Sequence, residues 1–338
     1  MRGLLRCASL GLLLASLSFG CIQIELFGAG RSPLVETVVY RHGTDAAAGA
    51  KFVLIEVDGV IGRGGASSLL GPPGEGMVER IREQLDRARA DPSVRGILLR
   101  IDSPGGTATA SDVVYAELVR FKEDRELPVV AHFMGLAASG GYYIAMAADE
   151  IVAEPTAITG SIGVIFASVN VSGLMERWGV EDQTLTSGRY KDAGSMIRPQ
   201  TPDERAIFQG VIDDLHQRFR TVVAHGRPKL GRERIETLSD GRIYSAAQAV
   251  ENGLVDRVGD IEDAVSRLEL RAGVSQSFVV SYHRPSEWRR NLYTRSAAPS
   301  PAIGTRGLGS AIEWLAPGFH YLWVPGVTSL WLPSGMAP

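Results

Sequence analysis

Cysteine is nearly absent from this chain of 338 residues: Cys7 and Cys21 are the only two, and none follows. Beyond residue 21 the chain therefore forms no disulfide, offers no thiol nucleophile and supplies no thiolate to a structural zinc site. Charge of one sign is equally scarce. Lys and Arg number 35 against 38 Asp and Glu, the net charge is −3, and no Lys/Arg block exceeds a short cluster. Such a balance gives no grip on a phosphate backbone and argues against nucleic acid as a partner. Long hydrophobic runs are missing too, since the apolar stretch 8–19 falls short of the roughly 20 residues a spanning helix needs. No segment repeats, so one folded unit is expected.

What is present is 45% hydrophobic residues, enough for one generous core. Arg2 and Arg6 precede the short apolar run, which ends at Gly20 and Cys21. That order is a secretory leader pattern, and the expectation is cleavage with lipid attachment at Cys21; an uncleaved N-terminal anchor is the alternative. The chain then divides into a leader at 1–20, a linker at 21–50, a main domain at 51–272 and an extension at 273–338. Within the main domain, short apolar runs at 52–57, 96–101, 128–133 and 150–153 read as buried strands. Amphipathic patterns at 77–90, 112–121 and 203–224 read as helices, the last entered through Thr201-Pro202-Asp203-Glu204. Alternation of this kind predicts an α/β fold. The extension carries Trp314, Phe319, Tyr321, Trp323 and Trp331 among prolines and glycines. It is expected to lie as a strap over the domain or against a membrane interface.

Three segments join apolar elements to glycines around a polar residue. They are Arg100-Ile101-Asp102-Ser103-Pro104-Gly105-Gly106, Met134-Gly135-Leu136-Ala137-Ala138-Ser139-Gly140-Gly141-Tyr142-Tyr143 and Ser187-Gly188-Arg189-Tyr190-Lys191-Asp192-Ala193-Gly194-Ser195. A glycine pair after a strand is ordinarily a turn. Here it also precedes a helix, so its free N–H groups can hold an oxyanion. Ser139 stands at a helix start between small neighbours, in a shape unlike the G-x-S-x-G elbow. A serine needs a base. Of the six histidines only His132 lies near these segments, and its place in a strand favours a structural role. Lys191 would serve if burial lowered its pKa; by composition alone it reads as a solvated loop lysine.

Taken together, in this order and spacing, the three segments resemble the SppA family of Ser-Lys signal peptide peptidases. Val57-Asp58-Gly59-Val60-Ile61, Ile158-Thr159-Gly160-Ser161-Ile162-Gly163-Val164, Asp240-Gly241-Arg242-Ile243-Tyr244-Ser245 and Ala249-Val250-Glu251-Asn252-Gly253-Leu254-Val255-Asp256 fit the same family. The resemblance covers roughly residues 52–268. It implies a ClpP/crotonase-like spiral of ββα units with a single catalytic domain. It also implies Ser139 as acyl-enzyme nucleophile, Lys191 as general base, Ser161 as the hydroxyl that orients the lysine, and Gly105 and Gly106 as the oxyanion turn. No metal or organic cofactor is expected. The implied substrates are apolar peptides, signal peptide remnants among them. The implied assembly is a homo-oligomeric ring in which the serine and the lysine come from adjacent subunits, tethered to the bacterial envelope with the catalytic domain on the periplasmic side. An acyl-CoA hydratase or isomerase of the crotonase type and an inactive peptide-binding scaffold are the rivals.

Overall fold

Aliphatic and β-branched runs build the centre of the molecule, and their alternate side chains sort to two faces. In the computed structural model, which describes residues 32–43, 49–62, 75–287, 289–294 and 318–323, twelve strands and eight helices are formed. The strands are β1 Val35–His42, β2 Ala50–Asp58, β3 Val94–Ser103, β4 Gly105–Thr107, β5 Val129–Ala138, β6 Glu150–Ala153, β7 Ile158–Gly160, β8 Ile165–Ala167, β9 Ile243–Ser245, β10 Arg257–Val258, β11 Ser277–His283 and β12 Gly318–Leu322. The helices are α1 Met77–Ala90, α2 Ala108–Arg125, α3 Gly140–Ala145, α4 Ser172–Arg177, α5 Pro202–Gly226, α6 Arg232–Leu238, α7 Ala246–Glu251 and α8 Ile261–Ala272. The leader, Cys21, Trp314 and Trp331 lie outside the described residues. Among those described, no helix is long and apolar enough to cross a membrane.

The main sheet runs β1-β11-β2-β3-β5-β6-β10, with β7 attached to β5 and β9 to β7. Its centre is parallel, from β11 through β2, β3 and β5 to β6. Parallel strands need both faces covered, and the sequence provides for it. Val53, Ile55 and Val57 of β2 face the same way as Ile97, Leu99 and Ile101 of β3, under α1, α2, α3 and α5. Phe52, Leu54, Leu98 and Val130 face the other way, under Ile261, Val265 and Leu268 of α8. Each such side chain, once buried, contributes roughly 1.5–3 kcal/mol. The expected strands and helices appear as β2, β3, β5, β6, α1, α2 and α5. Thr201 caps α5 in a reciprocal box with Glu204, as Pro202 opens the first turn.

The margins differ from the sequence expectation. Residues 35–42, read as linker, and 277–283, read as extension, pair with each other as β1 and β11, and β11 pairs with β2. The sheet therefore runs beyond residues 51–272 on both sides. β1 carries exposed polar residues at both ends, and β11 sets the buried polar residues Ser277, Ser281 and His283 among its apolar ones, which hides the apolar pattern that marks the central strands. The tail also does more than cover a surface: β12 enters a second, three-stranded sheet in the order β4-β12-β8. Tyr321 of that strand is only 1% exposed.

Candidate active site

The site grows from the end of β5. Through Val130 to Phe133 the strand pairs with β6, then it shifts register and pairs through Leu136, Ala137 and Ala138 with β7. The shift is held by Asp102, whose carboxylate accepts from the Leu136 N–H at 3.0 Å. Ser139 follows directly and caps α3 at φ 53°, ψ −113°, a conformation costly for a residue with a side chain. Its N–H donates to the Gly160 carbonyl at 2.8 Å, and its own carbonyl accepts from Tyr143 N–H at 2.9 Å. The hydroxyl is buried and has no hydrogen-bond partner among the described residues. A buried, unpartnered hydroxyl on strained backbone is poorly explained by stability alone.

Ser161 is brought beside it. Gly160 pairs with Ala138 in the β5–β7 ladder, and Ser161 follows at φ 51°, 7% exposed, its N–H donated to the Arg242 carbonyl at 2.7 Å. Ser161 lines a pocket of about 270 Å³ together with Ile165, His216, Asp240 and Leu322. Burial and the Arg220 charge lower the pKa of His216, which nothing in the sequence marked.

The glycine turn closes the site from the other side. A β-carbon on Gly105, at φ 99°, would lie 2.8 Å from the Gly140 amide nitrogen, so only glycine lets the turn approach α3 this closely. The Gly105 N–H is already donated to Ser103 Oγ at 3.0 Å. The other amides that adjoin Ser139 are that of Gly106, which stands opposite Tyr321 in the β4–β12 ladder, and that of Gly140, the first amide of α3. Sequence reasoning did not single out the Gly140 N–H, because it comes beside the glycine turn only where α3 meets that turn.

Lys191 is not gathered in. It sits in an exposed loop between α4 and α5, and its side chain forms no hydrogen bond or ion pair among the described residues. The charges around it are matched with one another: Arg189 with Asp203 at 2.5 Å, and Arg198 with Asp192 at 2.7 Å and with Glu204 at 2.5 Å. Arg198 and Thr201 together hold the Glu204 carboxyl down at about 2. His132 is no substitute base. It lies seven residues up β5, roughly 20 Å away at strand spacing, on the face covered by α8. Burial pushes its pKa down to about 4.

The model of peptidase family S49 matches residues 121–275, and the Clp protease model matches residues 68–158. A protein of Enterococcus faecium named as a signal peptide peptidase SppA is 37% identical over 238 residues, covering 70% of this chain and 68% of that one. The chain belongs to the SppA-type peptidases of family S49. A protein of Synechocystis named as a protease is 39% identical over 220 residues, 64% of this chain and 78% of its own length. Protease 4 of Salmonella typhi is 35% identical over 237 residues, 70% of this chain but 37% of its own. Among solved structures, a ClpP1 variant from Listeria monocytogenes aligns over 63% of this chain and 94% of its own at 17% identity, with a TM-score of 0.41. As an SppA-type chain this is a serine-type peptidase of the ClpP/crotonase fold, and its fit to the Clp protease model spans α1 to the start of β7. The hydratase reading is not favoured.

Proposed function

We propose that Ser139 is the acyl-enzyme nucleophile, Lys191 its general base and Ser161 the hydroxyl that orients the lysine. The Gly106 and Gly140 N–H groups, in a turn that Gly105 permits, hold the oxyanion. The observation that carries this is the buried, unpartnered Ser139 hydroxyl on strained backbone beside that turn. Lys191 takes the Ser139 proton as the oxygen attacks a peptide carbonyl, passes it to the leaving amine, and then activates water to free the acyl group. No step calls for a metal or an organic cofactor.

Because Lys191 stands exposed in its own chain, the dyad is completed by a neighbouring subunit in a homo-oligomeric ring. Support comes from the apolar surface next to the loop: Leu174, Trp178, Val180, Leu185 and Tyr190 are all exposed. Such a run of solvated apolar side chains suits an interface. The substrates are apolar peptides, signal peptide remnants among them. They are presented at the periplasmic side of the bacterial envelope by a lipid on Cys21 or an N-terminal anchor.

The test is hydrolysis of fluorogenic apolar peptides across pH by wild type, Ser139→Ala and Lys191→Ala. Both variants should lose at least about 10³-fold in turnover while remaining folded and assembled. Wild-type activity should rise into mildly alkaline pH, because attack by the serine needs a base in its proton-accepting form. Normal turnover by Lys191→Ala would show the base to be another group. A wild type that binds peptides and cleaves none would favour the scaffold reading.

A further inference from the structure

Between α5, α6 and the link 227–231 lies a cleft of about 360 Å³. That volume falls within the roughly 300–1,000 Å³ that small-molecule sites occupy. None of its lining residues belongs to the arrangement around Ser139. α5 is nonetheless a wall of both: Ile212 and His216 line the pocket that Ser161 lines, and Arg220, about one turn further on, lines the cleft.

Three basic side chains border the cleft, Arg220 and His225 from α5 and Arg232 from the first turn of α6, and a single acid, Glu236, stands against them. The match is poor. Arg220 donates to Gln217 Oε1 at 2.9 Å but reaches Glu236 only at 3.5 Å, and that carboxylate is 67% exposed against 27% for the arginine. A pair so long and so solvated contributes little. The Arg220 Nε–H is shut off from solvent and meets no acceptor among the described residues. The side chains of Arg232 and His225 likewise form no hydrogen bond or ion pair among them. Arg198, by contrast, is closed by Asp192 and Glu204 together. A guanidinium partly withdrawn from water without a full set of acceptors costs the fold stability, and an incoming anion offsets that cost.

The remaining lining is apolar: Ala224, Leu230 and Ile235, the last 4% exposed. Cations beside an aliphatic surface suit an anion that carries a hydrocarbon group. We propose that the cleft binds a carboxylate bearing a short aliphatic side chain, the chemistry of a peptide's C-terminal residue, with Arg220 and Arg232 on the carboxylate and the aliphatic group against Leu230 and Ile235. This goes beyond the reading of Ser139 and does not rest on it. A peptidase makes such ligands itself, because hydrolysis adds water across the peptide bond and leaves one new carboxylate and one new amine at each turnover. A carboxamide of the same shape loses the charge-assisted hydrogen bonds. Inorganic phosphate keeps the charge and leaves the aliphatic surface wet.

The test is calorimetric titration of the full chain carrying Ser139→Ala with N-acetyl-leucine, N-acetyl-leucinamide and inorganic phosphate at neutral pH. N-acetyl-leucine should bind at least about tenfold tighter than either of the others. Arg220→Gln combined with Arg232→Gln should weaken it at least about tenfold. Ala224→Trp fills the cleft while keeping both arginines and should weaken it as much. Far-UV circular dichroism of these variants should match that of the parent, since all three positions lie at or near the surface. Equal affinity for the acid and the amide overturns recognition of a carboxylate, and phosphate binding as tightly as N-acetyl-leucine overturns the aliphatic part. Unchanged affinity in either variant, or no binding of N-acetyl-leucine at about 20 mM, overturns the cleft as its site. Every sample lacks the Ser139 hydroxyl, so these outcomes are separate from the fate of the nucleophile, which turnover decides.

Discussion

Ser139 and His132 stand seven residues apart on one strand and its cap, yet their environments give them opposite character. Ser139 holds a left-handed backbone that only its position at the turn explains, so its strain is a cost borne by the native state. Ser139→Gly should be inactive but more stable than wild type by about 1–2 kcal/mol, read as a higher urea midpoint. An unchanged midpoint would mean that the backbone is unstrained. His132 is buried on the α8 face, and its pKa is lowered to about 4 chiefly by desolvation. Unfolded, it takes up a proton near pH 6.5. Between these values the unfolded chain binds a proton that the folded chain refuses, so stability falls as pH drops from about 6.5 toward 4 and is recovered above that window. Urea denaturation at pH 7 and pH 5 should show wild type losing on the order of 2 kcal/mol more than His132→Gln. Peptidase activity at pH 8 should be the same in both, since His132 faces away from the site.

At the level of elements, the sheet is tied to the chain that follows β11 by a buried charge cluster. Glu56 of β2 takes Arg289 at 2.5 Å and pairs with Arg100 of β3, while Arg100 also donates to the Thr294 carbonyl at 3.0 Å. All three side chains are almost fully buried. Removing one partner strands the others, so Glu56→Ala should lower unfolding free energy by about 3–5 kcal/mol, whereas loss of an exposed pair such as Arg82–Asp86 should leave stability nearly unchanged. Chemical denaturation of the two alanine variants checks the contrast; similar losses would mean that Glu56 is solvated in the native state.

For the whole molecule, the decisive property is that Ser139, the proposed nucleophile, and Lys191, its proposed base, are not brought together within one chain. If the ring completes the dyad, disturbing the exposed apolar arm around α4 must abolish activity without touching Ser139. Trp178→Glu combined with Leu185→Glu should reduce the mass measured by light scattering toward that of a single chain and lower turnover at least about 100-fold, with the far-UV circular dichroism of the folded chain retained. Full activity in a monomeric variant would place the base within the chain. The rotation of Lys191 toward Ser139 would then have to be sought in a rearranged loop between α4 and α5.

Residue patterns alone were enough for the α/β class, the central strands β2, β3, β5 and β6, the long helices and the capping of α5, while the candidate roles of Ser139, Ser161 and Lys191 came from the resemblance to the SppA family. Apolar periodicity, cap chemistry and short glycine-bearing motifs are local properties, readable wherever neighbours in the chain decide the outcome. Only the tertiary structure decided the rest. β1 and β11 became part of the sheet because each finds a partner about 240 residues away in sequence. The Gly140 N–H came beside the glycine turn because α3 meets the turn there, while the Gly105 N–H is taken by Ser103. Gly318–Leu322 of the aromatic tail became a strand because β4 and β8 each left an edge unpaired, and an unpaired edge accepts an extended chain of suitable shape.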